Sequence, residues 1–411
     1  MYFSLQIDKL KFLLLLCIII SFGCGNNNSK NQDVIGINKP GTFGYDSAFL
    51  QKFHQDMIVL GKDDSREKLI VLPAYQGRVM TSTAEGDTGR SFGWINHELI
   101  SSGKLTPHMN AFGGEDRFWL GPEGGQFSVY FEKGKAFNFE NWQVPKELDT
   151  EPFDMKSFND NEVRLEKQIH LVNYSGNVFD VHVNRNISLI NRDSTGQFLG
   201  ALPGDLSMVG FQTENIITNT GNRKWDVKTG MLSVWILSML NANDHTTIIV
   251  PYKEGNESAL GKIVTDDYFG KIPPDRLQVE NGVIRLKADG NYRSKIGISP
   301  KRAIPMAGSF DTLNNVLTII QFTLPSNNNL YVNSLWKLQE DPFGGDAVNA
   351  YNDGPIDGKQ MGRFYELESS SPAAALAPGQ SLTQIQRIFH ITGSRSSLNQ
   401  LVDRLLLHQR P

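Results

Sequence analysis

Apolar and polar positions alternate with a period of two along most of this chain. From 163 to 172, Val163, Leu165, Ile169 and Leu171 share one face. From 178 to 190, Phe179, Val181, Val183, Ile187 and Leu189 share a face, with Asp180, His182 and Asn184 opposite. Val316, Ile320, Phe322 and Leu324 repeat the pattern, as do Ile385, Phe389 and Ile391. Such alternation predicts strands with one face buried and the other wet or lining a cleft. Asn281-Gly282, Asp289-Gly290 and Thr229-Gly230 mark turns between runs. Lys68 to Thr83 reads as a strand broken by Pro73 and Gly77. Helical spacing is confined to the ends. Phe49, Leu50, Phe53 and Met57 predict a short helix within Asp46 to Leu60, capped by Asp46. Leu398, Leu401, Val402 and Leu405 form a stripe behind Ser394 to Ser397. The expectation is all-β: a large antiparallel sandwich with few short helices. No repeat or composition shift divides residues 41–411, so one domain is expected there.

Composition narrows the function. Hydrophobic residues are 39% and charged residues 20% of the 411, as in ordinary globular proteins. The formal charge is −4 with no basic block, so no nucleic-acid partner is expected. Lys9 and Lys11 precede an apolar run from Phe12 to Ile20 and the small-residue stretch ending at Cys24. That reads as a secretory signal over residues 1–23. The run is shorter than the roughly 20 residues a spanning helix needs. Gly23-Cys24 resembles a bacterial lipobox, with Phe22 in place of the usual small residue. The resemblance implies lipidation at Cys24, a polar tether over residues 24–40 and attachment to the cell envelope membrane. The only other cysteine, Cys17, lies in the signal, so the domain has neither disulfide nor thiol nucleophile.

Three stretches concentrate candidate chemistry. Pro107 to Phe127 holds His108, Asn110, Glu115, Asp116, Arg117, Trp119 and Glu123 among paired glycines. Acids, an arginine and an indole are the mixture a sugar site needs: polar groups for hydroxyls and a flat apolar face. Trp119 is the preferred stacking ring, while Trp235 sits in a continuously apolar run and reads as core. Asp341 to Pro355 offers Asp346, Asn349, Tyr351, Asn352 and Asp353. That set suits sugar hydroxyls or a calcium ion, although its spacing is not that of an EF-hand loop. No other cofactor is expected. In Phe364 to Pro372, Glu366 and Glu368 point the same way if the segment is a strand, about 7 Å apart along it. Such a pair can divide a general-base role from a hydroxyl-binding one.

Three stretches also carry a resemblance. LPAYQGRV (72–79), GGEDRFWLGPE (113–123) and LAPGQSLTQIQRIFHI (376–391) are similar, in order and spacing, to segments of galactose-mutarotase-like domains. The resemblance implies a β-supersandwich whose concave sheet binds carbohydrate. It implies a catalytic glutamate in the strand before the Pro-Gly turn, a place held by Glu366 or Glu368, with Glu368 favoured beside the serine turn. It also implies a sugar-binding aspartate in a late loop, a place Asp346 fits. Ring opening needs an acid at the ring oxygen, and histidine suits that task. His108 is preferred and His97 second. The His-x-x-Phe-Asn motif of active epimerases is missing here. Three readings stay open: an epimerase-like enzyme, a non-catalytic sugar binder, and a glycoside hydrolase or lyase pairing Glu115 or Glu123 with Glu368.

Overall fold

The computed structural model describes residues 39–327 and 330–407. The expected signal, Cys24 and the tether through residue 38 lie outside the described residues. Within them, strands dominate and helices are short. A ten-stranded sheet runs, edge to edge, through Leu277–Glu280, Val283–Lys287, Thr246–Pro251, Met306–Asp311, Val316–Phe322, Ser381–Thr392, Ser207–Asn219, Val178–Ile190, Glu162–Val172 and Asp154–Phe158. A five-stranded sheet runs through Ser294–Ile298, Val348–Asn352, Phe364–Ser370, Ser233–Asn241 and Arg117–Gly121. Every pairing in both is antiparallel. The architecture is the mostly antiparallel β-sandwich expected from the alternation.

The two sheets pack face to face. Val163, Leu165, Ile169, Val181, Val183 and Ile187 from one meet Phe118, Ile236, Leu240 and Leu367 from the other in one core. Each such side chain contributes about 1.5–3 kcal/mol by leaving water. The strand Val316–Phe322 is buried on both faces, not on one. Its second face, with Leu317 and Ile319, is covered by the C-terminal helix through Leu398 and Leu401 and by the following turn Asp403–Leu407 through Leu405. That helix, Arg395–Val402, starts where expected, the Ser394 side chain accepting from the Ser397 N–H at 3.2 Å.

The first helix departs from expectation. It spans Phe43–Phe53 and is capped by Thr42, not Asp46. Asp46 lies buried in the first turn, accepting from the His97 ring at 2.7 Å. The helix ends at His54, and β-branched Ile58 and Val59 instead begin the strand Ile58–Leu60. This strand joins Lys68–Leu72 and Arg78–Thr83 in a three-stranded sheet, the break at Pro73 and Gly77 being a tight turn. The Gly113-Gly114 pair serves a close approach. Both have positive φ, and a Cβ on Gly113 would lie 2.0 Å from the Trp94 carbonyl oxygen. Only glycine brings Arg117–Gly121 in at that angle.

Candidate functional site

Side chains alternate across a strand, so register decides which residues share a face. Glu368 lies opposite Leu237 and Asn349, and Glu366 opposite Met239 and Tyr351. Tyr351 lies opposite Lys295, and Trp119 opposite Trp235. The outward face of the five-stranded sheet therefore carries Arg117, Trp119, Trp235, Glu366, Glu368, Asn349, Tyr351 and Lys295 together. The other face, with Leu367, Ile236 and Phe118, is core.

Two ion pairs organise this face. Arg117 donates to Glu366 Oε1 at 3.1 Å, and both side chains are buried. The guanidinium lies 4.2 Å from the Trp119 ring centroid, and its second nitrogen meets Met109 Sδ at 3.7 Å. Lys295 Nζ donates to Glu368 Oε2 at 2.9 Å, and Trp235 Nε1 donates to the same oxygen at 2.9 Å. Both donors converge on one oxygen, as its two lone pairs allow. Glu368 is 0% exposed, yet its Oε1 has no partner, and neither does the buried Arg117 Nε. Leaving such atoms unpaired typically costs about 1–3 kcal/mol each.

The rim is half-buried and acidic. Burial pushes the Glu123 carboxyl up to about 7, with Lys295 opposing and the Glu368 charge adding. Burial pushes Asp346 up to about 6, against the Tyr268 hydroxyl that donates to its Oδ2 at 2.5 Å and against Lys295. Burial also raises Glu366, with Arg117 opposing and Glu368 adding. Burial pulls Lys295 down, but Glu368 and Glu123 outweigh it and hold the ammonium above its ordinary value. Gly297 makes room here: a Cβ would fall 2.0 Å from Asp346 Oδ2. Asn349 Nδ2 bonds the Ile296 carbonyl at 3.1 Å and the Tyr268 oxygen at 3.3 Å.

The expected residues thus divide. Arg117, Glu123, Asp346, Asn349, Glu366 and Glu368 meet on one side of the sheet. Asp353 stands at its border, accepting from Tyr351 OH at 2.6 Å. Trp119 is on this face but offers no free platform. It is 2% exposed, its Nε1 donates to the Leu148 carbonyl, and Arg117 covers its ring. Glu115 points between the sheets, bonded to Ser82 and His390. Asn352 also points inward, holding Gly290 N–H and the Tyr292 carbonyl. His108 sits in a loop with φ +69, its Nδ1 donating to the Trp142 carbonyl at 2.6 Å and its ring against Phe139. His97 is tied to Asp46 and Phe49. Neither histidine bonds a carboxylate of this face. Among the described residues, no trio of His, Cys, Asp or Glu is arranged to hold a metal ion.

Lys295, Tyr268 and Arg293 belong to this face and were not anticipated, and Trp235 has a task beyond filling space. The signal for Lys295 is a single charge inside the strand Ser294–Ile298. Its partner is 73 positions away, which no local pattern reveals.

Other structures share the architecture. The Slr1438 protein of Synechocystis sp. PCC 6803 superposes with a TM-score of 0.50 at 14% identity, over 82% of this chain and 96% of that one. An Escherichia coli K12 protein described provisionally as an aldose 1-epimerase gives 0.49 at 13% identity, over 82% and 100%. A galactose mutarotase-like protein from Lactobacillus casei ATCC 334 gives 0.45 at 10%, over 81% and 99%. No curated protein matches the sequence. A family model does match, over residues 41–409, and by that match the chain belongs to a family of unknown function, DUF6786.

Proposed function

We propose that this outward face binds a carbohydrate and catalyses proton transfers that open and close a pyranose ring. The observation that carries the reading is Glu368, with one oxygen fixed by Lys295 and Trp235 and the other buried without a partner. A carboxylate held this way can accept a proton from an anomeric hydroxyl. As that proton leaves, the bond from C1 to the ring oxygen breaks and the ring oxygen must take a proton. Glu123 supplies it: a carboxyl pushed to about 7 is partly protonated near neutrality and re-ionises in the step. Closure on the other face of C1 reverses both transfers, so the chain regains its starting state. Arg117, Asn349 and Asp346 hold hydroxyls. Glu123 thus takes the acid role expected of His108, whose ring is engaged with Trp142.

The test is anomer exchange by polarimetry or NMR on a panel of aldoses, comparing wild type with Glu368→Gln. Exchange is expected to fall by about 10²–10⁴-fold, the usual range for a general base. Equal exchange by both proteins removes Glu368 from the mechanism. Sugar-induced thermal shifts with no exchange in either protein support a binder without catalysis. We also infer that Cys24 carries a lipid, so Cys24→Ser is expected to move the protein from the membrane to the soluble fraction.

A further inference from the structure

Arg293 stands next to this machinery and plays no part in the steps above. It immediately precedes the strand Ser294–Ile298, two positions before Lys295, so the two side chains share a face. Its guanidinium carbon lies 3.7 Å from the centroid of the Phe269 ring, and Phe269 is 46% exposed at the border of the face. That contact fixes the guanidinium through its π surface and consumes none of its five N–H donors. Its Nε is shielded from solvent and meets no acceptor. Its charge acts on Asp353 without forming an ion pair. Asp353 Oδ1 accepts from Tyr351 and Oδ2 from the Gly362 N–H. Glu123 acts on it electrostatically but forms no ion pair with it. The other two cations of the face, Arg117 and Lys295, are each bonded to a glutamate.

From this placement we propose that Arg293 is a specificity residue that selects sugars bearing an anionic substituent. A planar guanidinium held flat with its fork open is matched to an oxyanion, which it grips through two parallel hydrogen bonds. A hexuronate carboxylate and a sugar phosphate ester present the same chemistry. The inference rests on the proposed carbohydrate site and names the class of ligand that site takes.

The experiment compares galacturonate, glucuronate, glucose 6-phosphate, galactose and glucose, by thermal shift and by NMR anomer exchange, with wild type, Arg293→Gln and Arg293→Lys. Wild type is expected to favour the anionic sugars over their neutral counterparts at least tenfold, and Arg293→Gln to lose that preference. Arg293→Lys keeps the charge without the fork and is expected to fall between. Preference for the uronates alone identifies a carboxylate, and for the phosphate alone an ester. Raising salt on the unaltered protein gives a second reading that needs no variant: affinity for anionic sugars falls while that for neutral sugars holds. Neutral sugars handled as well as anionic ones, or a preference that survives Arg293→Gln, overturns the assignment of Arg293 and leaves the sugar site standing. No response to any sugar, in wild type and in Glu368→Gln alike, overturns both.

Discussion

Two clusters of charge lie on either side of one thin sheet, and adjacent residues belong to different ones. Asp116 turns inward and Arg117 outward. The inner cluster is closed. Arg185 is fully buried and uses its guanidinium on the Gly77 carbonyl, on Asn215 and on both the side chain and carbonyl of Asp116. The second oxygen of Asp116 takes Thr213 and Gln386. Beside it, Glu115 accepts from Ser82 and from His390, whose other nitrogen meets Thr318. The outer cluster is left open at Glu368 Oε1, Arg117 Nε and Arg293 Nε. Both contain the same residue types at similar burial, so burial alone does not separate structure from function. The named groups differ in satisfaction: the side chains of Arg185, Asp116, Glu115 and His390 find partners within the chain, while Glu368 Oε1, Arg117 Nε and Arg293 Nε do not.

The largest expected effects are the ones that would break this contrast. Glu368→Gln lowers anomer exchange by about 10²–10⁴-fold, while its loss of stability stays below that of a matched change in the inner cluster. It relieves repulsion among Glu366, Glu368 and Glu123 as it weakens the Lys295 pair. Asp116→Asn, the matched change, does the opposite. It strands Arg185 without its counter-ion and costs about 3–5 kcal/mol, the usual penalty for breaking a buried pair. Urea titration measures both. Equal destabilisation by the two substitutions would erase the distinction between the clusters.

The sequence made one side of this picture easy to see and the other hard. Strand alternation across 163–190 placed the sandwich core, because one buried face imposes period two directly on the residue pattern. Glu366 and Glu368 were legible as a pair because i and i+2 always share a face. What stayed hidden was which face. Glu115, Asp116 and Arg117 are equally polar, and only their register against Val79 and Leu237 tells inward from outward. Trp119 looked like a stacking ring because Glu115, Asp116, Arg117 and Glu123 lie close to it in sequence, whereas in space Arg117 covers its ring and Trp235 and Tyr130 pack against it. Lys295 and Tyr268 were missed because their partners come from distant strands and loops. His108 was favoured on chemical type, and the loop that carries it turns its ring to a backbone carbonyl.

Acidity sharpens the contrast more gently. With Glu123 as the acid, exchange is expected to fall about tenfold per pH unit above about 7, as the proton it must donate is lost. Glu123→Gln removes that limb. The same shift has a consequence for folding. Glu123 is raised from an ordinary 4.5, so between about 4.5 and about 7 the folded state binds more protons than the unfolded one. Stability therefore declines as pH rises through that window. Glu123→Gln is expected to gain on wild type at pH 8 relative to pH 4 in thermal melts. A profile identical in both proteins removes Glu123 from the acid role.

The smallest expected effect tests the rim. Tyr268 donates its hydroxyl hydrogen to Asp346 Oδ2 and receives one from Asn349, so Tyr268→Phe removes both bonds and keeps the ring. The expected cost is about 1 kcal/mol. The hydroxyl favours the charged form of Asp346, so its loss carries that carboxyl above about 6. A carboxyl whose folded value already exceeds its ordinary 3.8 withdraws stability as pH rises through the gap, and the substitution widens the gap upward. The deficit of Tyr268→Phe should then be larger at pH 8 than at pH 4. An equal deficit at both would mean that the hydroxyl fills space beside Asp346 without holding its charge.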